Sequence, residues 1–167
     1  MKILIFTEGT IIIHQSALGC DREDVDKQVK NEDPSVHDFK NYIPVNNAPD
    51  KIKAWHDQGV QIIYLTSRKK QNEVRQIENV LKKHGFPSGK LLKREGKEKY
   101  KDVAEKIMPD IIIEDDCESI GGINEVTFTH ISPKKRVKIK SIPIQEFDGI
   151  DHLPNSISKL KQYSTTG

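Results

Sequence analysis

Lys2-Ile3-Leu4-Ile5-Phe6-Thr7-Glu8-Gly9-Thr10 sets an apolar run too short for a useful helix directly against polar turn formers. Such a run, rich in Ile and Leu and stopped by a turn signal, reads as a buried strand. The pattern recurs twice. Val60-Gln61-Ile62-Ile63-Tyr64-Leu65 is closed by Thr66-Ser67-Arg68, and Ile111-Ile112-Ile113 runs straight into Glu114-Asp115-Asp116. Helical patterns separate the three. Asn47 offers a cap, Pro49 suits a first turn, Ile52 and Trp55 supply an apolar stripe, and Gly59 ends the helix. From Lys70 to His84 the positions Val74, Ile77, Val80 and Leu81 share one face, with Gly85 as the C-terminal cap. A third helix is predicted over Lys99 to Met108, through Tyr100, Val103, Ala104 and Ile107, and Pro109 stops it. Further predicted elements are helices over Asp21–Lys30 and Ser156–Gln162, a short strand at Lys90–Leu92, and strands over Val126–Ile131 and Val137–Ile144.

Strands alternating with helices imply parallel strands joined by right-handed crossovers, with helices on both faces. The expected architecture is a three-layer α/β/α, Rossmann-like domain with a mainly parallel sheet, spanning residues 1–164 with a frayed tail at 165–167. Parallel strands all end on one edge, the edge where open α/β sheets bind ligands. Phe6-Thr7-Glu8-Gly9-Thr10, Thr66-Ser67-Arg68 and Glu114-Asp115-Asp116 should therefore meet there.

The totals exclude several classes. With 167 residues there is room for one ordinary domain, and 27 Lys+Arg against 25 Asp+Glu leave a net charge of +2. That balance gives no ground for a nucleic-acid partner. The basic stretch Lys134-Lys135-Arg136-Val137-Lys138-Ile139-Lys140 alternates like a half-exposed strand guarded by Lys at a sheet edge. The apolar run at the N-terminus is too short for a signal-peptide core or a membrane span. Cys20 and Cys117 form no metal or disulfide pattern, so reduced thiols, no membrane association and a cytoplasmic location are expected.

Carboxylates gathered at one edge repel unless protons or a cation relieve them. Glu8, Asp115 and Asp116 are hard oxygen ligands of the kind Mg²⁺ accepts, with water or a substrate phosphate completing its shell. Thr66 or Ser67 can donate to a phosphate oxygen, and backbone N–H groups beyond a strand end can add more.

In the order and spacing of these motifs, over about residues 2–122, the chain resembles the haloacid dehalogenase-like superfamily of Mg²⁺-dependent aspartyl phosphatases. The family's first motif is an apolar strand followed by Asp-x-Asp-Gly-Thr, and Phe6-Thr7-Glu8-Gly9-Thr10 stands in that setting. Its second motif, a strand ending in Ser or Thr, is matched by Tyr64-Leu65-Thr66-Ser67-Arg68. Its fourth, a strand leading to paired acids, is matched by Ile113-Glu114-Asp115-Asp116. The resemblance implies Gly9, Thr10, Thr66, Ser67 and Arg68 as substrate contacts and Glu8, Asp115 and Asp116 as Mg²⁺ ligands.

Phe6 breaks the pattern. It holds the place of the Asp that attacks phosphorus in the family and has no nucleophilic atom. Glu8 keeps a carboxylate at the general acid–base position. The family's third motif is a Lys that neutralises phosphate, for which Lys99 and Lys101 are the candidates, among neighbours Arg94 and Lys97. The resemblance also makes residues 11–47 a small cap-like insertion. The expected function is a phosphatase-like pocket for Mg²⁺ and a phosphorylated small molecule, without conventional aspartyl chemistry. Two alternatives remain open: a metal-dependent hydrolase using activated water, and a non-enzymatic scaffold.

Overall fold

The computed structural model describes residues 1–165, so residues 166 and 167 of the expected tail lie outside the described residues. β1 (Lys2–Phe6) leads into a long segment, the expected insertion, holding β2 (Ile12–Ile13), α1 (Arg22–Lys30) and β3 (Ile43–Pro44). Then follow α2 (Ala48–His56), β4 (Gln61–Leu65), α3 (Gln71–Lys83), β5 (Lys90–Leu92), α4 (Tyr100–Ile107) and β6 (Ile111–Asp115). Two four-residue helices, α5 (Thr127–His130) and α6 (Pro133–Arg136), precede β7 (Lys140–Ile144) and α7 (Ile157–Gln162).

The five strands of the main sheet run in the order β5-β4-β1-β6-β7 and every pairing is parallel. Strand alternation divides the core into two layers. Ile3 and Ile5 of β1 pack with Ile52 and Trp55 of α2, Ile77 and Val80 of α3 and Leu160 of α7. Leu4 faces the other way, toward Val103 and Ala104 of α4 and toward Ile131 and Ile139. Both faces of β1 are thus covered, which is why its sequence is a continuous apolar run rather than an alternation. Trp55 is fully buried, and its indole Nε1 donates to the Pro154 carbonyl at 2.9 Å, tying α2 to the approach to α7.

The segment from 126 to 139 corrects the expectation of strands at Val126–Ile131 and from Val137. It forms α5 and α6, and the last strand begins only at Lys140. Pro133 sits in the first turn of α6, where its missing N–H costs nothing. Val126, Ile131 and Ile139 are buried anchors, while Val137 is 82% exposed. The spacing of the anchors fits short helical turns, and the Lys-Val-Lys-Ile-Lys alternation has no sheet partner before Lys140. The remaining predicted elements occur within one or two residues of their expected ends. Among the described residues no helix is long and apolar enough to cross a membrane.

The insertion is pinned at its root. β2 pairs antiparallel with β3, and the Val45 N–H donates to the Ile11 carbonyl. Its two ends therefore leave the sheet edge together, and the residues between them arch over that edge.

Candidate functional site

The register brings the ends of β1, β4, β6 and β7 to one edge, with Phe6 beside Leu65 and Asp115 beside Ile144. Beyond Phe6 the chain turns sharply. The Thr7 carbonyl accepts the N–H groups of Thr10, Ile11 and Ile12, and Gly9 takes φ +80°, a left-handed conformation open to glycine at little cost. The turn aims Glu8 at the end of β4. One Glu8 oxygen accepts from the Thr66 hydroxyl at 2.5 Å. The other accepts from the Thr7 hydroxyl at 2.5 Å and from the Ser67 N–H at 3.1 Å. Glu8 thus clips the two strand ends together. Thr66, fully buried, also accepts the Arg68 N–H.

Three consecutive acids leave β6 in three directions. Glu114 is buried beneath α5, accepting the N–H groups of Thr127 and Phe128, and burial pushes its carboxyl up to about 7. Asp115 turns toward the β1 loop, where one oxygen accepts from the Thr10 hydroxyl at 3.3 Å and the other from the Cys117 N–H at 2.9 Å. A side chain on Gly9 would meet its Oδ2 at 3.4 Å. Burial first, then the charge of Asp116, raises the Asp115 carboxyl. Asp116 instead caps its surroundings, with Oδ1 accepting the N–H groups of Glu118 and Glu146.

A cavity of about 350 Å³ opens over Glu8, Gly9, Ser67, Arg68 and Asp115. His14, Val29, Phe39 and Tyr42 of the insertion form one wall, and Ser119, Glu146 and Phe147 form another. The Arg68 guanidinium lies 4.7 Å from the Phe39 ring centroid, stacked over it. Glu146 accepts from both the N–H and the hydroxyl of Ser119, and burial raises its carboxyl. Cys117 is no candidate nucleophile, because burial and then the Asp115 charge push its thiol far up.

Phe6 places hydrocarbon at the end of β1. The Phe6 ring meets Tyr100 edge-on at 5.2 Å between centroids, and the Arg94 guanidinium lies 4.1 Å above the same Tyr100 ring. Arg94 also donates to the Ser67 carbonyl. Lys99 and Lys101 line a separate groove with Arg94, Tyr100 and His130. Of the residues singled out in the sequence, the structure brings Glu8, Gly9, Ser67, Arg68 and Asp115 to one cavity. Thr10 and Thr66 act from just behind it, and Asp116, Lys99 and Lys101 are not part of its lining. Among the described residues no three His, Cys, Asp or Glu side chains stand close enough to hold a metal by themselves.

Sequence reading missed His14, Phe39, Tyr42, Ser119 and Glu146. Glu146 carried a usable signal, since it follows β7 as Asp115 ends β6, at the same edge of a parallel sheet.

The family model described as "PITM 1-3, LNS2 domain" matches residues 24–111, just over half of the chain. The matched stretch contains Thr66, Ser67 and Arg68, and Glu8 and Asp115 lie on either side of it. Among solved structures, a class C acid phosphatase from Bacillus anthracis with tungstate bound superposes with a TM-score of 0.55 at 16% identity, over 89% of this chain and 68% of that one. A chain of a Pnkp1/Rnl/Hen1 complex superposes with a TM-score of 0.51 at 12% identity, over 87% of this chain and 46% of that one. At these identities the likeness is one of fold. No curated protein matches the sequence.

Proposed function

The chain belongs to the LNS2-domain family and has a haloacid dehalogenase-like fold, and from that premise we propose that it binds a phosphorylated small molecule with Mg²⁺ and does not turn it over by aspartyl chemistry. The carrying observation is Phe6. Its ring packs on Tyr100 where a carboxylate would have to stand, while Glu8, Ser67 and Asp115 remain around an open cavity.

The donors fit the ion. Asp115 is a hard oxygen ligand whose ionised form burial disfavours, and a neighbouring divalent cation would restore that form. Mg²⁺ is commonly held by one or two carboxylates, the rest of its octahedron being water and substrate phosphate, so a three-residue protein cage is not required. In this reading Asp115 is the principal ligand and Glu8 the second, with Asp116 supporting the loop through its two backbone hydrogen bonds. The ion would supply positive charge to carboxylates and phosphate alike. Ser67 and Arg68 would orient the phosphate, and residues 11–47 would cover it.

The Glu8 carboxylate accepts three hydrogen bonds, two on one oxygen and one on the other, which leaves one acceptor site for a cation.

Calorimetric titration tests the reading. Mg²⁺ followed by inorganic phosphate should give saturable heats in the wild type, and Asp115→Asn should abolish the Mg²⁺ response while leaving the fold intact by amide NMR. Absence of any Mg²⁺-dependent phosphate binding in the wild type would overturn it.

A further inference from the structure

The insertion wall carries one histidine whose hydrogen-bonding role is fixed by its surroundings. His14 is buried, and its Nε2 lies 2.8 Å from Gln28 Oε1. The Gln28 amide has no freedom to flip, because its Nε2 donates to the Ser16 carbonyl at 3.0 Å and a carbonyl can only accept. Oε1 therefore faces His14 and must itself accept, so His14 Nε2 carries the proton. In the neutral ring Nδ1 is then left as a lone-pair acceptor. Among the described residues no protein donor is bonded to Nδ1, and His14 lines the cavity.

The support beneath this ring is braced. The Ser16 hydroxyl donates to Asp33 Oδ1 at 3.1 Å and shares a hydrogen bond with the Ser35 hydroxyl. Around His14 the wall is mixed, and a second histidine, His37, lines the same cavity. Val29 and Phe39 are apolar, and the Tyr42 hydroxyl donates its proton to the Val36 carbonyl at 2.6 Å, so toward a ligand it can only accept. A lone-pair acceptor repels the oxygens of an ionised phosphate and suits a hydroxyl on the organic part of a ligand instead.

We propose that His14 is a specificity-determining residue, accepting a hydrogen bond from a hydroxyl on the organic part of the phosphorylated ligand, with Gln28 as the positioning residue that holds its tautomer. This rests on the phosphate-binding reading above and names the ligand class: a compact hydroxylated phosphomonoester rather than a simple alkyl phosphate. A neutral hydrogen bond of ordinary strength corresponds to a preference of about 3- to 10-fold.

The test has two arms. In the first, hydroxyalkyl phosphates of two to four carbons are compared with the matching alkyl phosphates by calorimetry at pH 8 with Mg²⁺. The readout is the affinity ratio within each protein, so a general loss of affinity cancels. The wild type should favour at least one hydroxylated member by about 3- to 10-fold, and His14→Phe should bring that ratio to about 1. Equal binding in the wild type, or a preference that survives in His14→Phe, overturns the inference alone. Failure of inorganic phosphate and of every member to bind overturns the phosphate reading with it. In the second arm, ring ¹⁵N shifts of His14 are read without ligand at pH 8. They should show the proton on Nε2 in the wild type and a mixture of tautomers in Gln28→Leu. A proton on Nδ1 in the wild type overturns the inference whatever His14→Phe does.

Discussion

If Glu8 is a clip between β1 and β4, cutting either side of it should cost stability, and cutting both should cost less than the sum. Thr66→Val is nearly isosteric and removes one hydroxyl. The structure charges that hydroxyl with two duties, donation to the Glu8 carboxylate at 2.5 Å and acceptance of the Arg68 N–H at 3.1 Å. A hydrogen bond to a charged group contributes about 1.5–3 kcal/mol, and the site is fully buried at Thr66, so a loss of about 2–3 kcal/mol is expected. For a chain of this size that is a fall in Tm of about 4–12 °C. Glu8→Gln keeps the shape and removes the charge, so it should cost about 1–2 kcal/mol. Urea unfolding of the wild type, both single variants and the double variant then gives the interaction energy. The clip predicts about 1–2 kcal/mol of coupling. Additivity to within about 0.5 kcal/mol would refute the reasoning, since independent sites add to that tolerance.

Other outcomes follow from the same geometry. Burial holds the Glu114 carboxyl at about 7 against an ordinary 4.5, so the folded state binds that proton more tightly than the unfolded state does. Its stabilising contribution is full below pH 4.5 and is lost as pH rises toward 7, by about 3 kcal/mol, and Glu114→Gln should flatten that slope in urea melts. Gly9→Ala places a Cβ at φ +80° and 3.4 Å from Asp115 Oδ2. It should cost about 1–2 kcal/mol in thermal unfolding and weaken Mg²⁺ binding by calorimetry. Trp55→Phe leaves the Pro154 carbonyl without its indole donor and leaves unfilled space in the core, so chemical denaturation should show a loss of about 2–4 kcal/mol.

The strands at the centre of the fold were legible because both of their faces are buried. Ile3-Leu4-Ile5 and Ile111-Ile112-Ile113 leave no polar residue to suggest another reading. The stretch 126–139 was not, because Lys138-Ile139-Lys140 imitates strand alternation while its single buried residue, Ile139, anchors the turn before β7. That Glu8, Ser67 and Asp115 meet at one cavity followed from position alone, as residues beyond the ends of parallel strands. Consecutive residues leaving a strand do not share a direction, so Glu114 and Asp116 find other partners. Lys99 and Lys101 depend on the rotation of α4, which places Tyr100 rather than a Lys against Phe6. His14, Phe39 and Tyr42 reach the cavity through an irregular insertion, whose path over the edge is a tertiary result that no local pattern carries.

The proposed function is phosphate binding without aspartyl turnover, with Phe6 in the place of the attacking Asp. Its most direct test is phosphate release from a simple phosphomonoester by the purified wild type at saturating Mg²⁺. The expected result is no release above the spontaneous rate, although phosphate binds. Mg²⁺-dependent release that disappears in Asp115→Asn would contradict it.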